Sequence, residues 1–172
     1  MSVALRVAPL IFVAAVLQVG AVAGSRLLGA EPDLLLVTVV VVALVGGSIT
    51  GAVAGFAGGL LVDVMTLDTL GTTSIVLTIA GYWAGRYGET TGRGRPYAAP
   101  LSAFAITLLA APANVALHFL LGQPVSAQAA FATLIPSAIV NGLLAVGLHP
   151  LVRRYLSRPD RFPPRAHEVG VV

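Results

Sequence analysis

The chain has 172 residues, of which 57% are hydrophobic and only 10% are charged. Soluble domains carry about 25% charged residues, so this composition excludes a soluble domain, whose surface so few charges could not cover. The ten basic residues are all Arg and the net charge is +3, which for a membrane chain indicates contact with the lipid bilayer and its anionic headgroups, not with nucleic acid.

The first predicted span covers Leu5–Ala23, with Pro9 in its first turn, where a missing amide costs little. Its end, Ala21–Ala23, has the small-x-small pattern of a signal-peptide cleavage site. Because small residues occur throughout the chain, we interpret the segment as an uncleaved span, with cleavage as the alternative. The loop Gly24–Asp33 follows.

An uncharged run then extends from Leu34 to Val62. As one helix it would be about 44 Å long at about 1.5 Å per residue, whereas one crossing needs about 30 Å. The sequence Gly46-Gly47-Ser48 in its middle is typical of a tight turn. The run is therefore either one long span or two short ones.

Three further spans are predicted after a polar patch at Asp63–Asp68. They cover about Leu70–Gly85, Ala98–Leu121 and Ala127–Leu151, separated by Arg86–Pro96 and Gly122–Pro124, with Pro112 and Pro136 inside the last two. Residues 1–152 thus form a membrane domain. Residues 153–172 are rich in Arg and Pro and too polar to pack, so we expect a disordered cytoplasmic tail.

The distribution of Arg decides how many spans there are. With six spans, nine Arg share the side of both termini and Arg26 alone lies opposite; with five, the division is six against four. The positive-inside rule favours the first. We therefore predict an all-α fold: a polytopic integral membrane helix bundle of about six transmembrane helices, with short second and third spans and both termini cytoplasmic.

Glycines recur every four residues in the third and fourth predicted spans. In lipid, helices associate through close backbone packing, which small residues at this spacing permit. We favour packing within this chain over a dedicated dimer face. The predicted helix-packing residues are Gly51, Gly55, Gly58, Gly59, Gly81 and Gly85.

Five polar residues are candidates for function, because ionisable and amide side chains inside spans are costly. They are Asp33, Asp63, Asn114, His118 and Asn141. Asn114 and His118 are spaced i, i+4 and share one face of the fifth span. They could line a polar pocket with Asn141 or follow a proton path; we favour hydrogen bonds to neighbouring helices. Asp63, near a span end, is interpreted as a cap, with a functional acid as the alternative.

The sequence carries no recognisable catalytic set. Its three His are dispersed and it has no Cys, so neither a metal site nor thiol chemistry is expected. The glycine run lies inside the bilayer and is therefore not a nucleotide-binding fingerprint. We expect no enzyme activity and no cofactor.

Four motifs occur in a set order: Pro32-Asp33, the glycine-rich segment Gly51–Asp63, Leu70-Gly71 and Gly81-Tyr82. In this order they resemble the rod shape-determining protein MreD family over about residues 30–87. The resemblance implies a non-catalytic scaffold of the bacterial cell-elongation machinery in the inner membrane. It implies, as partners, an MreC-like single-span periplasmic protein, MreB-type filaments, and a RodA-type glycosyltransferase with its transpeptidase, which build peptidoglycan.

A transporter is the rival interpretation. In size and span count the family also resembles the substrate-binding membrane components of energy-coupling-factor vitamin importers. Such a component needs an outward-facing pocket, for which only Asn114, His118 and Asn141 supply polarity here. The outer loops are short and poor in aromatic residues, so we favour the scaffold.

Overall fold

The computed structural model describes residues 3–22, 30–92, 95, 97–122 and 127–156, and the regular elements of this part are helices. Two short π-helical turns, Gln18–Val22 and Gly88–Gly92, extend the first and fourth helices. The helices are α1 Val3–Leu17, α2 Leu34–Gly46, α3 Ser48–Thr66, α4 Thr72–Tyr87, α5 Ala98–Leu120 and α6 Ala127–Leu156. The predicted helical membrane bundle is confirmed.

The long uncharged run is two helices that meet at Gly47. This residue has a φ of 96°, a left-handed conformation that glycine adopts without steric cost. The second span is short, as predicted. The prediction of a short third span is wrong, because α3 continues past Val62 to Thr66 and is long enough to cross a membrane.

Helix α2 lies at the centre of the bundle and contacts each of the other five helices. Its residues Leu35–Leu44 are all buried. A helix that is apolar all round is buried either in a protein core or in a membrane, and here the other helices of the bundle surround it. Its length, about 20 Å from about 1.5 Å per residue, is less than the hydrocarbon thickness of about 30 Å, so at least one of its ends lies at membrane depth.

The outer surface of the bundle is apolar, as lipid contact requires. Ile49, Val53, Leu109 and Phe119 are examples of large side chains that are more than half exposed. Helices α3 and α5 and the segment Phe131–Leu156 of α6 are each long and apolar enough to span a membrane.

The first and last helices meet at one end of the bundle. The guanidinium of Arg6 donates a hydrogen bond to the carbonyl oxygen of Leu156 at 3.3 Å. Helix α6 continues to Leu156, beyond residue 153, where the tail was predicted to begin. The rest of that tail, residues 157–172, and most of the first loop, residues 23–29, lie outside the described residues.

Candidate functional site

Four of the five predicted polar candidates line a single cleft between α2, α5 and α6. The cleft has a volume of about 270 Å³. Asn114 and His118 of α5 face it together, as their spacing predicted, and Asn141 of α6 lies opposite. Asp33 enters from the start of α2. The other polar lining residues are Glu31, Thr107, Thr133 and Ser137.

Side chains of α6 hold the segment before α2 in place. The backbone amide of Asp33 donates to Asn141 Oδ1 at 2.9 Å, and that of Glu31 donates to Ser137 Oγ at 2.8 Å. Asn141, which is fully buried, also donates through Nδ2 to Thr107 Oγ1 at 3.1 Å. One amide side chain thereby connects α2, α5 and α6, and the buried polar groups at the base of the cleft are satisfied.

The Asp33 carboxylate caps α2. Its Oδ1 accepts a hydrogen bond from the Leu36 amide at 2.8 Å, which satisfies one of the donors that a helix start leaves unpaired. Gln18, beyond the end of α1, accepts from the Leu34 amide at 2.8 Å. Sequence reasoning missed Gln18, although an amide at the end of an apolar run is a signal of a buried polar contact.

The fifth candidate, Asp63, lies elsewhere, at the turn between α3 and α4. It is 1% exposed, and its carboxylate accepts hydrogen bonds from the Gly71 amide at 2.8 Å and the Thr73 amide at 3.2 Å. Both donors belong to the start of α4, whose own N-cap, Gly71, has no side chain. In this geometry Asp63 acts as a cap supplied from the preceding helix.

Helices α3 and α4 pack backbone against backbone along a seam of glycines. A methyl group on Gly51 would overlap the carbonyl of Gly81, and one on Gly59 would lie 2.5 Å from the Ser74 backbone. At the other end, Gly85 faces the backbone of Gly47 and Ser48 in the same way. Added carbon atoms there would meet main chain, which cannot rotate away. We refer to this contact as the glycine seam.

Gly58 lies on a different face of α3 from the seam. A methyl group there would lie 2.9 Å from side-chain carbons of Ile11 in α1 and Leu35 in α2. Five of the six predicted packing residues therefore lie in the glycine seam, where Gly55 faces the carbonyl of Leu77. The sixth, Gly58, packs against the side chains of α1 and α2.

A hydrogen-bonded contact, which sequence reasoning missed, joins the α2–α3 break to the end of α4. We refer to it as the clasp at Glu89. Helix α3 begins at Ser48, and the preceding Gly47 has no side chain to cap it. Glu89 caps the helix instead, because its Oε1 accepts a hydrogen bond from the Ser48 amide at 2.8 Å. Arg86 lies 3.6 Å from the same carboxylate. The hydrogen bond from the Ser48 amide, with help from the Ser48 hydroxyl and Arg86, holds the pKa of the Glu89 carboxyl below its usual value.

Comparison with known proteins gives one family. The family model described as rod shape-determining protein MreD matches residues 2–158, nearly the whole chain. The resemblance inferred from the central motifs is confirmed and extends across the spans on either side. No curated protein and no solved structure matches the chain.

Proposed function

Because this chain belongs to the MreD family of rod shape-determining proteins, we propose that it is a non-catalytic scaffold of the bacterial cell-elongation machinery. The family match is the observation that carries the proposal. It supports a role in cell shape and residence in the bacterial inner membrane. A scaffold in the membrane plane must hold the spans of its partners by helix packing and interhelical hydrogen bonds.

The outer surface of the bundle supports such a role. A groove of about 580 Å³ runs between α1 and α3, and the small residues Ala8, Ala54 and Ala57 line part of it. A second groove, of about 430 Å³, runs between α4 and α5 and is also rich in Ala. Small residues let a neighbouring helix approach closely in lipid, where there is no hydrophobic drive for association.

We propose that the partners are those that the family resemblance implies. They are an MreC-like single-span periplasmic protein, MreB-type filaments, and a RodA-type glycosyltransferase with its transpeptidase. The Arg asymmetry supports an orientation with both termini in the cytoplasm. In that orientation the α3–α4 turn faces the periplasm and the clasp at Glu89 faces the cytoplasm.

Co-purification tests the scaffold role. The tagged chain, extracted in mild detergent, is expected to recover a single-span periplasmic protein of the MreC type. Depletion of the chain in a rod-shaped host is expected to give wide or rounded cells while the activities of the purified wall enzymes remain. Recovery of a tightly bound small molecule, and of no membrane partner, would contradict the proposal.

The substrate-binding component of an importer is the second candidate, and the polar cleft is the observation that favours it. Its volume of about 270 Å³ lies just below the range of about 300–1,000 Å³ that is usual for small-molecule sites. A vitamin-sized ligand would therefore need the cleft to widen. Co-purification with an ATP-driven importer module, in place of wall-synthesis proteins, would favour this candidate.

A further inference from the structure

The last turns of α6 carry an open pocket lined by basic side chains. Its volume is about 380 Å³, and its lining residues are His149, Pro150, Arg153 and Arg154. Both Arg side chains are exposed. They lie at the end of the segment Phe131–Leu156, which is long and apolar enough to span a membrane. Because a charged side chain is costly in hydrocarbon, this end of α6 lies at the level of the lipid headgroups. We refer to this site as the basic pocket.

The two Arg of the basic pocket differ from the other Arg that the structure describes. Arg6, Arg86 and Arg95 each form a hydrogen bond or a salt bridge within the chain. Within the described part of the chain, Arg153 and Arg154 form neither. No carboxylate is among the described residues that line the pocket. Two guanidinium groups with unused N–H donors therefore lie side by side, and such donors match the oxygen atoms of a phosphate.

An exposed apolar stripe on α6 leads to the basic pocket. Its residues are spaced at i, i+4, i+7 and i+11, so they share one helix face. They are Ile139, Leu143, Val146 and Pro150. The first three are at least half exposed. From Ile139 to Pro150 the stripe is about 16 Å long at about 1.5 Å per residue, close to half of a hydrocarbon core of about 30 Å. Arg153 and Arg154 follow Pro150 by three and four positions, so they lie just beyond the stripe on the same face.

We propose that the basic pocket and the apolar stripe together bind one anionic phospholipid. The guanidinium groups of Arg153 and Arg154 hold the phosphate, and an acyl chain lies along the stripe through one leaflet. Basic pockets at the cytoplasmic ends of membrane helices bind anionic headgroups in this way. An acidic segment of a soluble protein would use the charges but not the stripe, so the structure favours a lipid. The inference goes beyond the scaffold role, which does not require a bound lipid.

Arg in the last turn of a helix also interacts favourably with the helix dipole, and this effect needs no ligand. The experiment must therefore measure lipid binding itself and separate a built site from general attraction by positive charge.

Native mass spectrometry of the full chain in detergent, titrated with dioleoyl phosphatidylglycerol, gives the apparent Kd of the first bound lipid. The test variant carries Arg153→Gln and Arg154→Gln. The matched control carries Arg158→Gln and Arg161→Gln, which remove the same charge from the tail. Dioleoyl phosphatidylcholine is the lipid without net charge, and glycerol 3-phosphate is the headgroup without acyl chains. Thermal unfolding in detergent alone checks that each variant folds, and the single variants Arg153→Gln and Arg154→Gln serve if the double variant does not.

Phosphatidylglycerol is expected to bind the Arg153→Gln, Arg154→Gln protein at least about tenfold more weakly than the wild type, and the control protein about as tightly as the wild type. The wild type is expected to bind phosphatidylcholine more weakly than phosphatidylglycerol, and glycerol 3-phosphate is expected not to compete. Equal weakening in both double variants would show attraction by charge alone and overturn the proposal. Equal binding of the two lipids, or competition by glycerol 3-phosphate, would also overturn it. If the Arg153→Gln, Arg154→Gln protein kept its lipid affinity but lost a co-purifying protein, the pocket would belong to a protein partner and the proposal would fail.

Discussion

Gly55 of α3 lies so close to the carbonyl oxygen of Leu77 in α4 that a methyl group on Gly55 would overlap that oxygen. The same relationship recurs one helical turn away, between Gly51 and the carbonyl of Gly81. The two helices are therefore in contact through their main chains. In lipid this close approach is a principal source of helix association, so the glycine seam is where small changes in side-chain volume have the largest effect.

We predict that Gly55→Ala destabilises the protein by about 1–3 kcal/mol, the usual cost of overpacking a tight contact. The matched control is Gly147→Ala in α6, because nothing lies within 4 Å of a methyl group there. Removing a mid-helix glycine at an open position is expected to be neutral or stabilising by up to about 1 kcal/mol.

Thermal unfolding of the purified variants, followed through the fluorescence of Trp83, measures the stabilities of Gly55→Ala and Gly147→Ala. Gly55→Ala is expected to melt at a lower temperature than the wild type, and Gly147→Ala at the same or a higher one. Identical melting of both variants would mean that α3 and α4 are not held at this distance in the membrane.

We predict a graded loss of stability at Asp63. Asp63→Ala leaves the amides of Gly71 and Thr73 without their acceptor, and each buried unsatisfied donor costs about 1–3 kcal/mol. Asp63→Asn keeps one acceptor oxygen and is expected to fall between Asp63→Ala and the wild type. Limited proteolysis of the α3–α4 turn measures the order. A stable Asp63→Ala protein that no longer supports rod shape would instead assign Asp63 a direct functional role.

Asp63 also shows how far the end of α3 could be predicted from the sequence. Its charge was taken to end the apolar run, since a charged side chain in lipid is expensive. The structure pairs that carboxylate with two backbone amides, so the helix continues to Thr66. By contrast, the break at Gly47 was predictable, because the Arg distribution required an extra crossing and a glycine pair offered the place for it.

The cleft was predictable only in part. The shared face of Asn114 and His118 follows from helical periodicity alone. The contact between Asp33 and Asn141 depends on how α2 and α6 are placed relative to each other. The two residues are 108 positions apart in sequence. The Ser48–Glu89 contact was missed for the same reason: it joins a helix start to a turn 41 residues later. No local pattern specifies either pairing.

We predict that the clasp at Glu89 weakens in acid. The hydrogen bond from the Ser48 amide lowers the pKa of Glu89 from the ordinary value of 4.5. The carboxylate therefore stabilises the fold fully above pH 4.5, and this contribution is lost as the pH falls through the lowered pKa of the folded protein. Glu89→Ala lacks the contribution at any pH.

The melting temperatures of the wild type and Glu89→Ala are compared between about pH 7 and about pH 3, on either side of the usual carboxyl range. The wild type is expected to melt higher near neutrality, and the difference is expected to shrink in acid. Other carboxyls titrate in both proteins, so the comparison isolates Glu89. A constant difference at all pH values would show that the carboxylate charge contributes nothing to this contact.

We predict that the two ends of α4 lie on opposite sides of the membrane. Leu67, 92% exposed in the turn before α4, faces the periplasm in the proposed orientation, whereas Gly92 follows α4 on the cytoplasmic side. In this orientation nine of the ten Arg lie on the second side, as the positive-inside rule favours. Because the chain has no Cys, Leu67→Cys and Gly92→Cys are clean single probes. An impermeant maleimide is expected to label Leu67→Cys in intact cells and Gly92→Cys only after lysis. Labelling of Gly92→Cys in intact cells would invert the orientation or remove one crossing.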